Sequence, residues 1–296
     1  MRAETEQVLQ EIGRQLDRNI FPRVKNGGVV MPSETAGPSS TMGVENSNDK
    51  TSRQRRPEAG SWKGTAGRQG SARGPRPSRE TAPVVGTDPQ AKYKDELVAV
   101  HEAYPGAQVW HREEGLWLLT ESNLLPELQQ AATFLTGISF ARTAVRSWGF
   151  WKDGFVGATW IGPRHTNFPD GSVCAFEPAD ETWVFGDPTI ELLDLYTVWA
   201  LRHLHLQIFG RWPGPQAIHR PYERILELRE DEYCGCGKSG KLYGECCREK
   251  DLARDRIADA IDFLRHASDG VREPPISVAR FVRGQKELPR LAELIV

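Results

Sequence analysis

Apolar positions along the chain fall into blocks of different period. Near the N-terminus, Val8, Leu9, Ile12, Leu16 and Ile20 recur at helical spacing, so residues 1–24 are expected to form an amphipathic helix that docks by one face. From 25 to 86 the pattern vanishes under Gly, Ser, Pro, Thr and Arg, and the stretch reads as a disordered linker with nothing to nucleate a core. Order returns at Asp88-Pro89, which can open a helix through Leu97 and Val100 that closes near Pro105-Gly106. Residues 108–120, 132–141 and 145–161 are rich in Trp, Phe, Val, Thr and Leu. Gly115, Pro126, Gly137, Gly154 and Gly157 punctuate them, which predicts an antiparallel meander. The next element has Asp187 as N-cap, Pro188 at the first helical position, an apolar body over 190–209 and Gly210 at its end. Being apolar nearly all round, this helix is expected to lie buried against the sheet. Residues 251–266 read as another helix with Ile257, Ile261 and Leu264 on one face, and the stretch to 296 as a loosely packed tail.

The expected fold class is therefore α+β, a meander packed on helices over 87–229. A small cysteine-bearing unit follows at 230–250 and a C-terminal helical tail at 251–296. The 296 residues are enough for one ordinary core plus accessory segments. A formal net charge of -2 gives no global pull toward nucleic acid or membrane. The second half of the linker, with Arg53, Arg55, Arg56, Lys63, Arg68, Arg73, Arg76 and Arg79, is the one stretch that could touch RNA. Solvation of an unfolded segment is the favoured reading there. No apolar run reaches the roughly 20 residues a membrane helix needs and no signal-peptide core is evident, so a cytoplasmic location is expected.

Four of the five cysteines, Cys234, Cys236, Cys246 and Cys247, lie within fourteen residues on either side of a glycine-rich turn. Two pairs of thiols on a compact loop suit one tetrahedral zinc ion, and Gly235, Gly237, Gly240 and Gly244 give the loop the freedom to wrap it. With every position filled by protein, no water could be activated, so the expected role is structural. Redox thiols are the alternative. The run resembles the SEC-C motif, a zinc knuckle of the kind found at the C-terminus of the SecA translocation motor. Cys234, Cys236, Cys246 and Cys247 fall on the ligand positions, and Ser239-Gly240 and Tyr243 also match; Lys238 lengthens the turn by one residue. The resemblance implies zinc and a small interaction module, and says little about a main activity.

The fifth cysteine, Cys174, follows the reversal Pro169-Asp170-Gly171, which should fold 165–167 back beside it. That would place the imidazole of His165 and the carboxamide of Asn167 near a thiol able to form a thioester, with an amide to stabilise an oxyanion. The order His165-Thr166-Asn167, Asp170-Gly171, Cys174, Trp183 and then a helix is similar to the active-site region of the ubiquitin-conjugating (UBC-like) fold. That resemblance implies Cys174 as thioester carrier, Asn167 as oxyanion stabiliser and His165 as a brace of the loop. Its partners would be a ubiquitin-like modifier and its activating enzyme. Thr166 stands where that family has proline, and the loop lengths differ by one residue on each side of Cys174. Two alternatives are a non-catalytic adaptor that binds protein partners through an inactive scaffold, and a cysteine hydrolase using Cys174 and His165. His203 and His205 are read as polar interruptions or satisfied core groups, and Glu177, Asp180 and Glu181 as loop carboxylates beside Cys174.

Overall fold

Five antiparallel strands in sequential order make the centre of the molecule. They are β3 (Gln108–Arg112), β4 (Gly115–Glu121), β5 (Ala132–Ser139), β6 (Ala144–Asp153) and β7 (Gly157–Trp160). The computed structural model describes residues 3–25, 28–30, 89–122, 131–153, 157–176, 182–237, 240–267 and 272–295. Of the predicted linker, residues 26, 27 and 31 onward lie outside them, as do the loop carboxylates Glu177, Asp180 and Glu181, and Lys238 and Ser239. The meander is thus of the expected kind, but two of its predicted blocks are hairpins. Arg112 pairs with Gly115 across a tight turn, and Asp153 pairs with Gly157.

All eight residues of β5 are buried, because both faces of the sheet are covered. On one face lie α2 (Pro89–Ala103) and α3 (Thr189–Phe209). Phe134 stacks on Tyr196 of α3 at 5.6 Å between centroids, and Tyr93 and Leu97 of α2 pack with Leu116, Leu118 and Ile138. The opposite face carries Trp117, Leu135, Trp148 and Phe150, packed with Val278 of α7 (Ile276–Val282), Leu291 of α8 (Leu291–Leu294) and Ile295. The expected loose tail is in fact the second layer of the fold. Gly137 makes room for it, since a Cβ there would stand 2.8 Å from Leu291 Cδ2. A four-residue helix with one buried leucine carries too little periodicity to be recognised in sequence.

The N-terminal amphipathic helix, α1 (Ala3–Asp17), buries Leu9, Ile12 and Leu16 in the core beside α3. The contact is close enough that a Cβ on Gly13 would meet His205 Nε2 at 2.3 Å. After α1, β1 (Arg23–Lys25) pairs with β2 (Gly28–Val30), so strand structure reaches Val30, inside the linker expected from residue 25. Val29, 2% exposed, explains this by joining the core. At α3 the expected N-cap differs. Asp187 Oδ2 accepts from Val184 N–H, while Glu96 of α2 accepts from Thr189 N–H and Oγ1–H and serves as the cap from another helix. Gly210, at φ +64, closes α3 as its sequence position predicts.

The expected helix over 251–266 is broken. A short α5 (Arg248–Leu252) ends at Ala253, and α6 (Arg256–Ala267) begins after Asp255. Ile257, Ile261 and Leu264 do share a face, but it is the outer one, at 72%, 44% and 68% exposure. Asp259 and Ala267 face inward instead, because Asp259 accepts from Arg254 Nε–H at 2.7 Å. Among the described residues no helix is long and apolar enough to cross a membrane.

Candidate metal centre

Tyr233 and Leu242 form a one-residue β-bridge, and Cys234 N–H donates to Lys241 O at 3.0 Å, so the chain on either side of the glycine-rich turn is zipped together. Two left-handed glycines bend the segment between Cys234 and the turn, Gly235 at φ +69 and Gly237 at φ +70. Gly235 has a second reason to lack a side chain, because a Cβ there would come within 2.8 Å of Ile218 N. A single 3-10 turn, Tyr243–Glu245, then delivers Cys246 and Cys247, and Cys247 leads directly into α5.

The result brings all four cysteine sulfurs within 4.8 Å of one another. Cys236 Sγ and Cys246 Sγ are 3.7 Å apart, as are Cys246 Sγ and Cys247 Sγ. A disulfide would need about 2.05 Å. A tetrahedron of sulfurs about 2.3 Å from a central zinc has edges near 3.8 Å, so the spacing suits four ligands around one ion. Burial pushes the Cys234 thiol up, with the neighbouring thiols adding to the effect, and burial raises Cys247 to about 11. Without a cation beside them, Cys234 and Cys247 keep their protons. A divalent ion would displace those protons and hold the thiolates. The cluster can hold a metal ion, and its all-sulfur donor set leaves no protein position open for a reacting water.

The four-cysteine segment is fixed to the main body by buried ion pairs that its local sequence pattern does not announce. Arg224 of α4 (Pro221–Glu227) grips Asp251 of α5 through two hydrogen bonds of 2.8 Å and also donates to the carbonyls of Ile218 and His219. Glu232, fully buried two residues before Cys234, accepts from Arg164 Nη1–H and Nη2–H and from the N–H groups of Trp212 and Arg229. Nothing in the local pattern of Glu232 marks it as buried. Only its nearness to Cys234 hints at a role.

Arg164 immediately precedes the hairpin that carries the other three candidate residues. Thr166 bridges Val173, Cys174 N–H donates to His165 O at 3.0 Å, and Asp170 Oδ1 accepts from Ser172 N–H at the tip. The Pro169-Asp170-Gly171 reversal therefore does bring His165, Asn167 and Cys174 onto one hairpin. Their side chains are directed to other tasks. Asn167 Nδ2 donates to Ser172 Oγ and Val173 O, each at 3.2 Å. His165 Nε2 bonds Gln216 Oε1 at 3.0 Å, and its ring lies 4.2 Å from that of Trp212. Burial, reinforced by the Arg164 charge, holds the His165 pKa well below 6.5. Cys174 is half-buried and is not in a disulfide.

His203 and His205 are both buried in the core, at 5% and 6% exposure, but the expectation of satisfied groups holds for His205 alone, since His203 Nε2 has no hydrogen-bond partner among the described residues. His205 Nδ1 bonds Arg211 O at 2.9 Å. Comparison with protein-family models, with curated proteins and with solved structures finds no match to this chain.

Proposed function

We propose that the chain is a cytoplasmic protein-interaction adaptor, a UBC-like α+β scaffold whose SEC-C-type knuckle binds one structural zinc ion. The observation that carries this reading is the hydrogen bonding of the hairpin beside Cys174. Both amide hydrogens of Asn167 are committed to Ser172 and Val173, and the imidazole of His165 to Gln216. An oxyanion stabiliser must present its donor to the reacting carbonyl, and here that donor braces the hairpin. The closed sulfur site supports a structural ion. The outer face of α6 supports a protein partner, since Ile257, Ile261 and Leu264 form an apolar stripe. Residues 254–265 carry three arginines, Arg254, Arg256 and Arg265, against three aspartates, Asp255, Asp259 and Asp262, so the stripe has a rim of no net charge, which suits an apolar helix of another protein better than an anionic lipid surface. Crosslinking of the full chain in its own cells tests this. Partner crosslinks at α6 should persist in Cys174→Ala and disappear in Ile261→Lys and Cys246→Ser; loss in Cys174→Ala alone would refute the adaptor.

A second reading, a transferase carrying a ubiquitin-like modifier as a thioester on Cys174, is favoured by one observation. Cys174 is half-buried rather than sealed and sits directly opposite His165. Incubation with an activating enzyme and modifier would then give a thiol-sensitive adduct that Cys174→Ala abolishes.

A further inference from the structure

Trp212, 2% exposed, is the centre of an unusual concentration of buried positive and neutral nitrogen groups. The guanidinium carbon of Arg164 lies 5.6 Å from its ring and that of Arg202 5.8 Å, and the rings of His165 and His203 lie at 4.2 and 5.0 Å. Buried nitrogens of this kind are normally partnered. Around Trp212, however, five have no hydrogen-bond partner among the described residues: Trp212 Nε1, Arg202 Nε and Nη2, Arg164 Nε and His203 Nε2.

Of Arg164, Arg202 and Arg211, only Arg202 has no carboxylate in contact among the described residues, while Arg211 holds both Asp17 and Asp231. Arg164 is neutralised by Glu232, with N–O distances of 3.0 and 2.8 Å. Asp17 is taken by Arg211 Nη1–H at 2.7 Å and by Gly214 N–H at 2.8 Å, so it acts on Arg202 only through space. Arg202 spends Nη1 on the carbonyl of Pro215 and stacks over Phe21. Its Nε and Nη2 form the fork that ordinarily receives a carboxylate or another anion, and here these two atoms, buried on a side chain that is half-buried as a whole, receive nothing from the described residues. Burial brings the Arg202 pKa down to about 10, as expected of a cation short of a counter-charge.

We propose that the Arg202 Nε/Nη2 fork, with Trp212 Nε1–H, binds a monovalent inorganic anion of halide size inside the protein. The donors set the chemistry, because an arginine fork and an indole N–H can only donate and need an acceptor. Charge selects an anion over water, since water would leave the Arg202 cation uncompensated. Enclosure selects a monatomic ion, because an organic carboxylate would have to bring a side chain or backbone in with it. The bound ion would tie α3, which carries Arg202, to the Trp212 segment that Glu232 joins to the knuckle.

Two measurements on the full chain test the site. In thermal unfolding at fixed ionic strength, replacing gluconate by chloride or bromide should raise Tm by several degrees, saturably. Arg202→Met should abolish the response, and Trp212→Phe, which keeps the ring but removes the N–H, should weaken it several-fold. In crystals grown with bromide, an anomalous peak is expected within hydrogen-bond distance of Arg202 Nε and Nη2. The same Tm in gluconate and chloride, or water at the fork with bromide only on the surface, would overturn the proposal. Because neither measurement involves Cys174, α6 or zinc, failure here leaves the adaptor reading untouched.

Discussion

Arg164 and Glu232, 68 residues apart in sequence, form a two-bond ion pair with side chains 6% and 0% exposed. It joins the start of the Cys174 hairpin to the residue two before the first cysteine of the cluster, so the hairpin and the four-cysteine segment share one rigid support. Glu232 also holds two backbone N–H groups, which makes it a hub rather than one half of a pair.

Removing one partner from such a pair leaves a buried charge uncompensated. Glu232→Gln is expected to destabilise the chain by about 3–5 kcal/mol, while Arg164→Met combined with Glu232→Leu should cost less than the sum of the single changes. Urea unfolding followed by tryptophan fluorescence checks this in a chain with 9 tryptophans. Strict additivity would mean that the two side chains do not depend on each other.

The four-sulfur cluster should titrate as one site. Purified chain is expected to hold one zinc per molecule by elemental analysis, and strong chelation should lower Tm. Cys236→Ser and Cys246→Ser should each lose the ion, whereas Cys174→Ser should keep it, since Cys174 lies outside the cluster. Retention of a full equivalent by Cys246→Ser would remove that residue from the ligand set.

How much of this was legible in the sequence depends on how local each feature is. The four-cysteine cluster and the left-handed glycines within it are set by neighbouring residues, and their spacing announced them. The meander and α3 were visible through long periodic runs. By contrast, Glu232, Arg164, Arg224 and Asp251 look like ordinary surface charges, because what buries them arrives from distant segments. Ile257 and Leu291 illustrate the same limit from the apolar side. Both are branched aliphatic helix residues, yet one is exposed and the other supports the sheet.

Acid should weaken the fold. Burial, with Arg164 adding to it, brings His203 down to about 3 from 6.5, and burial lowers His205 as well. Between those limits the unfolded chain takes up protons that the folded chain refuses. Stability is therefore present above pH 6.5 and falls on acidification, by up to about 1.4 kcal/mol per pH unit for each such histidine. Asp194 acts in the opposite sense. Burial raises it from 3.8 to about 6, so the folded state binds its proton first and gains relative stability between those values. Burial raises Glu223 and Glu227 as well, but with His165 and His266 also held low, four histidines outweigh these three carboxyls. The urea midpoint should drop steadily from pH 6.5 to 4, and a midpoint flat over that range would contradict the burial of His203.

The two faces of the C-terminal region should respond in opposite ways to the same substitution. Leu291, 1% exposed, packs with Trp117, Leu135 and Trp148, and Gly115 and Gly137 leave space for it. Leu291→Ala removes buried methyl groups from a two-sided sheet and is expected to cost about 2–4 kcal/mol. Gly137→Ala places a methyl group against the same leucine and Trp117, and should destabilise through overpacking by about 1–3 kcal/mol. Ile257→Ala, at a site 72% exposed on α6, should fall within about 0.5 kcal/mol of the parent. Denaturant midpoints of the three variants decide the matter. If Ile257→Ala proved as costly as Leu291→Ala, the outer face of α6 would be covered by other parts of the chain and could not serve as a docking stripe. If Leu291→Ala proved neutral, the C-terminal helices would not be the second layer of the sheet.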